Sequence, residues 1–206
     1  MSFDVDVRRT IGGHEIAARI AVGGGLTVLF GPSGSGKSSV LNMVAGLLRP
    51  DSGHIRVDGV TLFDRAAGVD LPPERRRIGY VFQDGRLFPH RRVRHNLLYG
   101  AHLAEPGERW LGFDEAVSFL GIGHLLNRWP ATLSGGEAQR VAIGRALLSG
   151  ARSLLMDEPL SSLDEHRRGE IMTLIERIRD EIGVPMLYVT HDRAEAERLG
   201  TTLVRM

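Results

Sequence analysis

The feature that most constrains this chain is a glycine-rich segment of eight residues, Gly31 to Ser38, with the sequence GPSGSGKS. It follows the short apolar run Leu26–Phe30, and apolar residues at helical spacing come after it. Glycines let the backbone of such a turn point several N–H groups at one anion, and the start of a helix adds partial positive charge there. The pattern G-x-x-x-x-G-K-[ST], between a strand and a helix, therefore predicts a loop that binds the phosphates of a nucleotide.

One basic residue in this loop differs from every other in the chain. The sequence has 26 lysines and arginines, and Lys37 is the only lysine among them. An ammonium is a compact point charge and a guanidinium is a planar fork, which indicates that this position requires the chemistry of lysine. We expect Lys37 to reach the β and γ phosphates and the Ser38 hydroxyl to bind Mg²⁺. The residues predicted to bind nucleotide here are Gly31, Pro32, Ser33, Gly34, Ser35, Gly36, Lys37, Ser38 and Ser39.

Two carboxylates follow another apolar run, where Asp157 and Glu158 come directly after Leu154–Met156. Ligands of open parallel sheets bind at the carboxyl ends of the strands, so both side chains are expected near the phosphate loop. Asp157 is predicted to hold Mg²⁺ through water, and Glu158 to orient or deprotonate the water that attacks the γ phosphate. Without the loop, the same carboxylates would indicate a helix cap or a surface just as well.

Gln83 follows the apolar run Ile78–Phe82, and His191 comes shortly after Met186–Val189. The Gln83 amide is expected to bind Mg²⁺ or to sense the γ phosphate, and the His191 imidazole to contact the γ phosphate or the attacking water. Taken alone, each fits a packing or surface role better, so both assignments depend on the loop. The predicted catalytic residues are Glu158, His191, Gln83 and Lys37, and the predicted metal ligands are Ser38, Gln83 and Asp157.

Strand and helix patterns alternate along most of the chain. This alternation predicts an α/β fold with a mainly parallel sheet covered on both faces. Together with the glycine-rich loop, the pattern resembles a P-loop NTPase. The alternating segment Phe3–Val22 predicts an antiparallel β subdomain at the N-terminus, and helical spacing within 84–150 predicts an inserted helical subdomain. We expect residues 1–206 to form one nucleotide-binding domain.

The apolar spacing predicts where two of the helices begin or end. The helix after the phosphate loop is expected to place Leu47 and Leu48 on its apolar face, and a second helix is expected from Asp164 to Ile182. Gly183 would end the second helix.

Composition excludes several classes of protein. The formal net charge is +1, which is not the electrostatic footprint of a nucleic-acid binder. The cluster Arg75 to Arg77 is as expected for a solvated face or a turn, with a polyanion site as the alternative. No apolar run reaches the roughly 18 to 20 residues that cross a bilayer. The absence of cysteine excludes disulfides and is compatible with a reducing cytoplasm.

A second glycine motif identifies a family. Leu133-Ser134-Gly135-Gly136-Glu137 resembles the signature motif of ABC ATPases, and the segment 161–164, which ends on Asp164, resembles their D-loop. The motifs occur in the order of that family, and the resemblance covers essentially the whole chain. It implies ATP and Mg²⁺ as cofactors and His191 as the switch histidine. It also implies a head-to-tail homodimer in which Ser134 and Gly136 of one subunit touch the γ phosphate bound by the other, with Gly135 and Asp164 completing the nucleotide-binding set.

A narrower resemblance concerns the segment 78–100, which continues past Gln83 as DGRLFPH. It is similar to the ATPase subunits of molybdate importers. This resemblance implies an ATPase that energises uptake of molybdate or a related oxyanion. Another small solute, such as sulfate or a metal ion, is the alternative. The implied partners are permease subunits and, through them, a solute-binding protein, with no nucleic acid, at the cytoplasmic face of the plasma (inner) membrane.

The chain departs from this family in two places. Where many relatives stack an aromatic residue on adenine, the corresponding stretch holds Thr10, Ile11 and His14, so stacking is expected to be weak or supplied by His14. Molybdate ATPases usually continue into a regulatory domain that binds oxyanion, whereas this sequence ends near the last expected ATPase strand. We expect no C-terminal regulatory domain within these residues, either because the sequence is shortened or because the protein lacks that domain.

Three rival classes share parts of the pattern. A DNA-maintenance ATPase would carry long coiled coils between its motifs, and the stretch from Gln83 to Leu133 has no sustained heptads. A translation factor would have two phosphate loops and a basic arm. A non-enzymatic nucleotide-binding scaffold is disfavoured by the presence of Glu158 and His191.

Overall fold

Two sheets, one antiparallel and one parallel, organise the chain. The computed structural model describes residues 2–103, 107 and 110–206. Phe3–Ile11 and His14–Val22 alternate apolar and polar residues and pair across the turn at Gly12 and Gly13, as expected. The antiparallel sheet has, in spatial order, the strands β2 (His14–Val22), β1 (Phe3–Ile11), β4 (Ser52–Val57), β5 (Val60–Asp64) and β6 (Val69–Asp70).

All strand pairs of the second sheet are parallel. This confirms the predicted fold class, and it brings the carboxyl ends of the strands to one edge. In spatial order the strands are β10 (Thr202–Arg205), β3 (Leu26–Phe30), β9 (Met186–Thr190), β8 (Ser153–Asp157) and β7 (Ile78–Val81). The three central strands are short and almost wholly apolar because both of their faces are buried.

Each face of the parallel sheet has its own hydrophobic cluster. Leu29, Leu155 and Leu187 belong to a cluster shared with the antiparallel sheet and with helix α1 (Lys37–Ala45). Val28 and Leu154, their neighbours along the strands, belong to the cluster shared with the remaining helices. Those helices are α2 (Val93–Leu103), α3 (Phe113–Leu120), α4 (Gly135–Leu148), α5 (Glu165–Arg177) and α6 (Arg193–Leu199).

Helix α4 is the centre of the helical region between β7 and β8. It packs on α2, α3, α5 and β7. Gly144 is a point of close approach, because a Cβ added there would lie 2.6 Å from a methyl of Leu120 and 2.9 Å from a methyl of Leu97. This packing fixes the start of α4, and with it the signature motif, relative to the parallel sheet.

Two helix limits differ from the sequence-based expectation. Helix α1 ends at Ala45 because Gly46 adopts a left-handed conformation with φ of 82°, and Leu47 is consequently 54% exposed and not on an apolar helix face. The helix expected over Asp164–Ile182 begins after Asp164, which caps it, and its last turn, Ile178–Ile182, is a π-helix. Among the residues that the structure describes, no helix has the length and apolarity needed to span a bilayer.

Candidate functional site

The glycine-rich loop joins β3 to α1 at the carboxyl edge of the parallel sheet. Gly34 and Gly36 have φ values of 82° and 94°, a backbone conformation that favours glycine. Helix α1 has no side chain capping its first turn and no acidic residue there, so its N–H groups are left for an anionic ligand. The glycine-rich segment therefore has the strand-loop-helix geometry that phosphate binding requires, while the binding itself stays a prediction.

Lys37, the only lysine of the chain, lies across this loop. Lys37 is 4% exposed, and its Nζ donates hydrogen bonds to the carbonyl oxygens of Gly31 at 2.9 Å and Pro32 at 2.7 Å. An ammonium has three donors, so the loop uses two of them to fix the side chain. A buried cation held in this way is placed to meet the charge of bound phosphates.

Ser38 and Asp157 meet although they are 119 positions apart in the sequence. The Ser38 hydroxyl donates to Oδ1 of Asp157 at 2.8 Å, and Oδ2 of Asp157 lies 3.3 Å from the Tyr80 hydroxyl. Burial raises the pKa of Asp157, while the hydrogen bonds from Ser38 and Tyr80 lower it. The carboxylate is thus hydrogen-bonded but desolvated. A bound cation would offset the cost of desolvating its charge.

These oxygens fit Mg²⁺, which prefers oxygen ligands and usually takes only one or two carboxylates from a protein. Ser38 and Asp157 would hold it, with the phosphates and water completing its coordination. Gln83 and Asp157 line one cavity, so the amide of Gln83 is within the same region. Among the described residues, no cluster of three or more His, Cys, Asp and Glu could hold a metal ion.

Glu158 follows β8 in an unusual backbone conformation, with φ of 43°. Its N–H donates to the carbonyl of Val189 at 3.1 Å, and its own carbonyl accepts from the Ser161 hydroxyl at 2.9 Å. A non-glycine residue with positive φ costs about 1 to 3 kcal/mol, and these bonds hold it in place. Together they direct the carboxylate of Glu158 into the cleft that Lys37 and Ser38 line.

His191 joins this carboxylate from the neighbouring strand. It comes directly after β9, and its Nδ1 lies 3.1 Å from Oε2 of Glu158. The imidazole is about half exposed, with 51% of the side chain accessible, whereas the Glu158 side chain is 18% accessible. A carboxylate and an imidazole in contact beside a phosphate loop can accept a proton from water and stabilise charge.

The signature residues form a second centre. Ser134 caps α4, because its hydroxyl accepts from the Glu137 N–H at 3.3 Å while Oε2 of Glu137 accepts from the Ser134 N–H at 2.7 Å. The second bond is the largest cause of the lowered pKa of Glu137. A Cβ added to Gly135 would lie 2.9 Å from Leu163, so the signature packs on the segment before α5.

The structure thus divides the predicted residues between two places. Within the described part of the chain, Ser134, Gly135, Gly136 and Asp164 do not line the cleft of the phosphate loop. Asp164 instead caps α5, accepting a hydrogen bond from the Arg167 N–H at 3.0 Å. The loop, the two carboxylates and His191 lie together, so a single chain forms only part of a site that uses the signature.

Two residues of the site were not among those predicted. Tyr80 supports Asp157 from β7, and the alternation of the strand on which it lies gave no indication of that contact. Ile16 lines the cleft of the loop, and its side chain lies 2.8 Å from where a Cβ of Gly36 would be. His14, the residue considered for adenine stacking, is exposed and is not among the described residues that line the cleft.

Comparison with known proteins indicates the family of this chain. A family model described as "ABC transporter" matches residues 21–161. A molybdenum import ATP-binding protein ModC of Mesorhizobium japonicum is 54% identical over 206 residues, covering 100% of this chain and 56% of its own length. The ModC protein of Rhodospirillum rubrum is 55% identical over 201 residues, covering 98% of this chain and 54% of its own. The chain therefore spans about half the length of these curated relatives.

Solved structures resemble the whole chain. CbiO1 from Clostridium perfringens, part of the ABC transporter complex cbiONQ, has a TM-score of 0.82 and 27% identity, covering 100% of this chain and 84% of that one. The ATP-binding cassette MJ0796, solved as a dimer in a post-hydrolysis state bound to ADP and Pi, has a TM-score of 0.76 and 27% identity, covering 98% of this chain and 92% of that one. With a family model matched over most of its length and the family's motifs in place, this chain belongs to the ABC transporter family.

Proposed function

We propose that this chain binds and hydrolyses ATP with Mg²⁺ and thereby energises an ABC importer for molybdate or a related oxyanion. Residues 1–206 act as one nucleotide-binding domain, with the helical subdomain spanning roughly 84–150. The observation that carries the proposal is the convergence of Lys37, Ser38, Asp157, Glu158 and His191 at one sheet edge. Residues 104–106 and 108–109 of that subdomain lie outside the described part of the chain.

The chemistry follows from the positions of these side chains. Lys37 and the N–H groups of the loop hold the β and γ phosphates. Mg²⁺, when bound, neutralises charge on the phosphate oxygens. A water molecule attacks the γ phosphorus, the bond to the bridging oxygen of ADP breaks, and Glu158 accepts the proton that the water loses. His191 contacts the γ phosphate or the attacking water. Gln83, which lines one cavity with Asp157, binds Mg²⁺ or senses the γ phosphate.

The division of the site supports a homodimer. Ser134 and the start of α4 are not among the described residues that line the chain's own phosphate-loop cleft, and they would face the loop of a second copy. Each nucleotide is then enclosed by the loop of one subunit and the signature of the other. The dimeric cassette among the similar structures supports this arrangement.

The solute and the membrane partners are inferred from the relatives. Eight relatives with 50 to 56% identity bear the name molybdenum import ATP-binding protein. We propose permease subunits as direct partners, and through them a solute-binding protein, at the cytoplasmic face of the plasma (inner) membrane. No oxyanion is expected to contact the described residues. An importer for another small solute, such as sulfate or a metal ion, is the second candidate.

The proposal is tested first by phosphate release from the purified protein with ATP and Mg²⁺. Lys37→Ala and Glu158→Gln should each reduce turnover at least a hundredfold, whereas Glu197→Gln, on the exposed side of α6, should retain it. If the wild-type protein hydrolyses no ATP either as a dimer or in complex with its permease, the proposal that it is an ATPase is rejected.

The solute is tested by the cellular molybdenum content of a strain deleted for the gene. Loss of molybdenum only when molybdate is scarce, restored by the wild-type gene and not by a Lys37→Ala copy, would support a molybdate importer. Unchanged content in a strain with no second uptake system would assign another solute and leave the ATPase intact.

A further inference from the structure

A buried carboxylate next to the candidate site has no part in the chemistry described so far. Glu195, in the first turn of α6, is 4% exposed. Its Oε2 accepts hydrogen bonds from the Tyr188 hydroxyl and the Thr190 hydroxyl, each at 2.8 Å. Burial raises the pKa of Tyr188 well above its ordinary value, so its hydroxyl stays protonated as a donor. Burying a carboxylate is costly unless it is fully partnered, and both strong partners here come from β9.

An arginine of another helix completes this group. Arg168 of α5 donates from Nη1 to Oδ2 of Asp192 at 3.1 Å, and its Nε lies 3.9 Å from Oε1 of Glu195. Asp192 in turn caps α6, accepting from the N–H groups of Ala194 at 2.8 Å and Glu195 at 3.2 Å. One guanidinium is therefore hydrogen-bonded to the carboxylate of Asp192 and lies within ion-pair distance of the carboxylate of Glu195.

These contacts fix the backbone on both sides of His191. Thr190, which precedes it, donates to Glu195 and accepts from the Asp192 N–H at 2.9 Å, and Asp192, which follows it, is held by Arg168. The imidazole itself is about half exposed and so receives little support from packing. Its direction toward Glu158 is consequently set by the residues next to it in the chain.

We propose that Glu195 and Arg168 are positioning residues that hold His191 against Glu158 and connect it to α5. This inference rests on the proposed function. Arg167, the neighbour of Arg168, packs on the signature, because a Cβ of Gly136 would lie 3.6 Å from its side chain. The first turn of α5 thus contacts the signature on one side and the segment of His191 on the other. Glu195 and Arg168, together called the clamp, act through His191 and are positioning residues, not catalytic ones.

The first test measures position directly and does not require catalysis. Glu195→Gln keeps the size of the side chain and removes the charge that Arg168 and the two hydroxyls face. Amide hydrogen exchange of the full chain should become at least tenfold faster in peptides that cover the segment 190–193, with Tyr188→Phe giving the same change more weakly. Glu197→Gln, the same substitution two residues later at an exposed position, is the matched control. Unchanged exchange in both Glu195→Gln and Tyr188→Phe would overturn the clamp.

The second test asks whether Glu195 acts through His191. Single-turnover ATP hydrolysis with enzyme in excess should fall about tenfold or more in Glu195→Gln, while the KM for ATP stays within twofold. In a His191→Ala background the same substitution should change the rate less than twofold, since a group that acts through His191 has nothing left to position. An equal loss in both backgrounds would assign Glu195 a general structural role and overturn the proposal. Absence of hydrolysis in the wild-type protein would reject the proposed function, whereas the exchange experiment would still decide the clamp.

Discussion

Asp157 is a carboxylate whose charged form is disfavoured by burial. Burial raises its pKa above the ordinary aspartate value of 3.8, and the nearby Glu158 charge adds to this, against the hydrogen bonds from Ser38 and Tyr80. Between the ordinary pKa and the raised one, the folded chain binds more protons than the unfolded chain. The free energy of unfolding therefore falls as the pH rises through that window.

Asp157→Asn should stabilise the nucleotide-free protein at pH 7 and abolish its use of Mg²⁺. Asparagine keeps an oxygen for Ser38 and removes the desolvated charge. We expect the melting temperature to rise by about 2 to 4 °C, the shift that roughly 1 kcal/mol produces in a chain of this size. Thermal melts in a metal chelator should show the difference in melting temperature between variant and wild type shrinking toward pH 4. In a separate assay with Mg²⁺, the variant should not hydrolyse ATP. A variant that melts below the wild type at pH 7 would contradict this account of Asp157.

The position of Ile16 leads to a prediction about selectivity for the nucleotide base. It is an aliphatic side chain over the phosphate loop, and no aromatic residue is found among the described residues that line this cleft. Stacking on an aromatic ring contributes about 1 to 3 kcal/mol per base, and that contribution is missing here. Competition binding should give affinities for ATP and GTP within about threefold of each other. A tenfold or larger preference for ATP would show that another group recognises adenine.

At the scale of elements, the signature helix depends on its first turn. Ser134 and Glu137 satisfy each other's backbone N–H groups, and the bond from the Ser134 N–H keeps the pKa of Glu137 low. A carboxylate with a lowered pKa contributes stability that is present above its ordinary pKa and is lost as the pH falls through the lowered one. The cap that holds the signature is therefore at full strength at neutral pH.

Ser134→Ala should cost about 1 kcal/mol of stability, the usual cost of removing a serine N-cap. Urea unfolding at pH 7 measures this loss, and Ser118→Ala, at an exposed position within α3, is the control that should show none. If Ser134 also meets a γ phosphate from a second subunit, hydrolysis should fall much further than stability does. If Ser134→Ala loses stability but hydrolyses ATP at the wild-type rate, Ser134 acts only as a helix cap.

Some elements followed from local sequence and others did not. Strands β1, β2, β3 and β8 were predictable because alternation or apolar runs between glycines and polar residues leave few other choices. The end of α1 at Gly46 was missed because Leu47 and Leu48 continue the apolar spacing beyond the helix. Tyr80 was missed as a partner of Asp157 because contacts between strands are invisible in local patterns.

At the scale of the whole molecule, the signature and the phosphate loop are separate surfaces of one chain. In the proposed dimer the signature of each subunit covers the nucleotide of the other, so ATP acts as part of the interface. Hydrolysis removes that support. The association of two copies should therefore depend on an intact γ phosphate.

Glu158→Gln with ATP and Mg²⁺ should form a stable dimer, because the nucleotide binds and is not hydrolysed. Sedimentation velocity should give a dimer for this variant and a monomer for the Lys37→Ala, Glu158→Gln double variant, whose loop no longer holds the phosphates. ADP should leave Glu158→Gln monomeric. A monomer with ATP demonstrably bound would contradict the shared site.

The sequence alone determined the phosphate loop, the fold class and the order of the motifs, because each depends on residues adjacent in the chain. The rule for parallel sheets predicted both carboxylates near the loop, but the direct contacts of Ser38 with Asp157, 119 positions away, and of His191 with Glu158 depend on the order of strands within the sheet. Tertiary structure alone placed Ile16 against the loop and Glu195 against Thr190, the residue before His191. The physical reason is that parallel strands collect distant residues at one edge, and only their spatial order decides which residues meet.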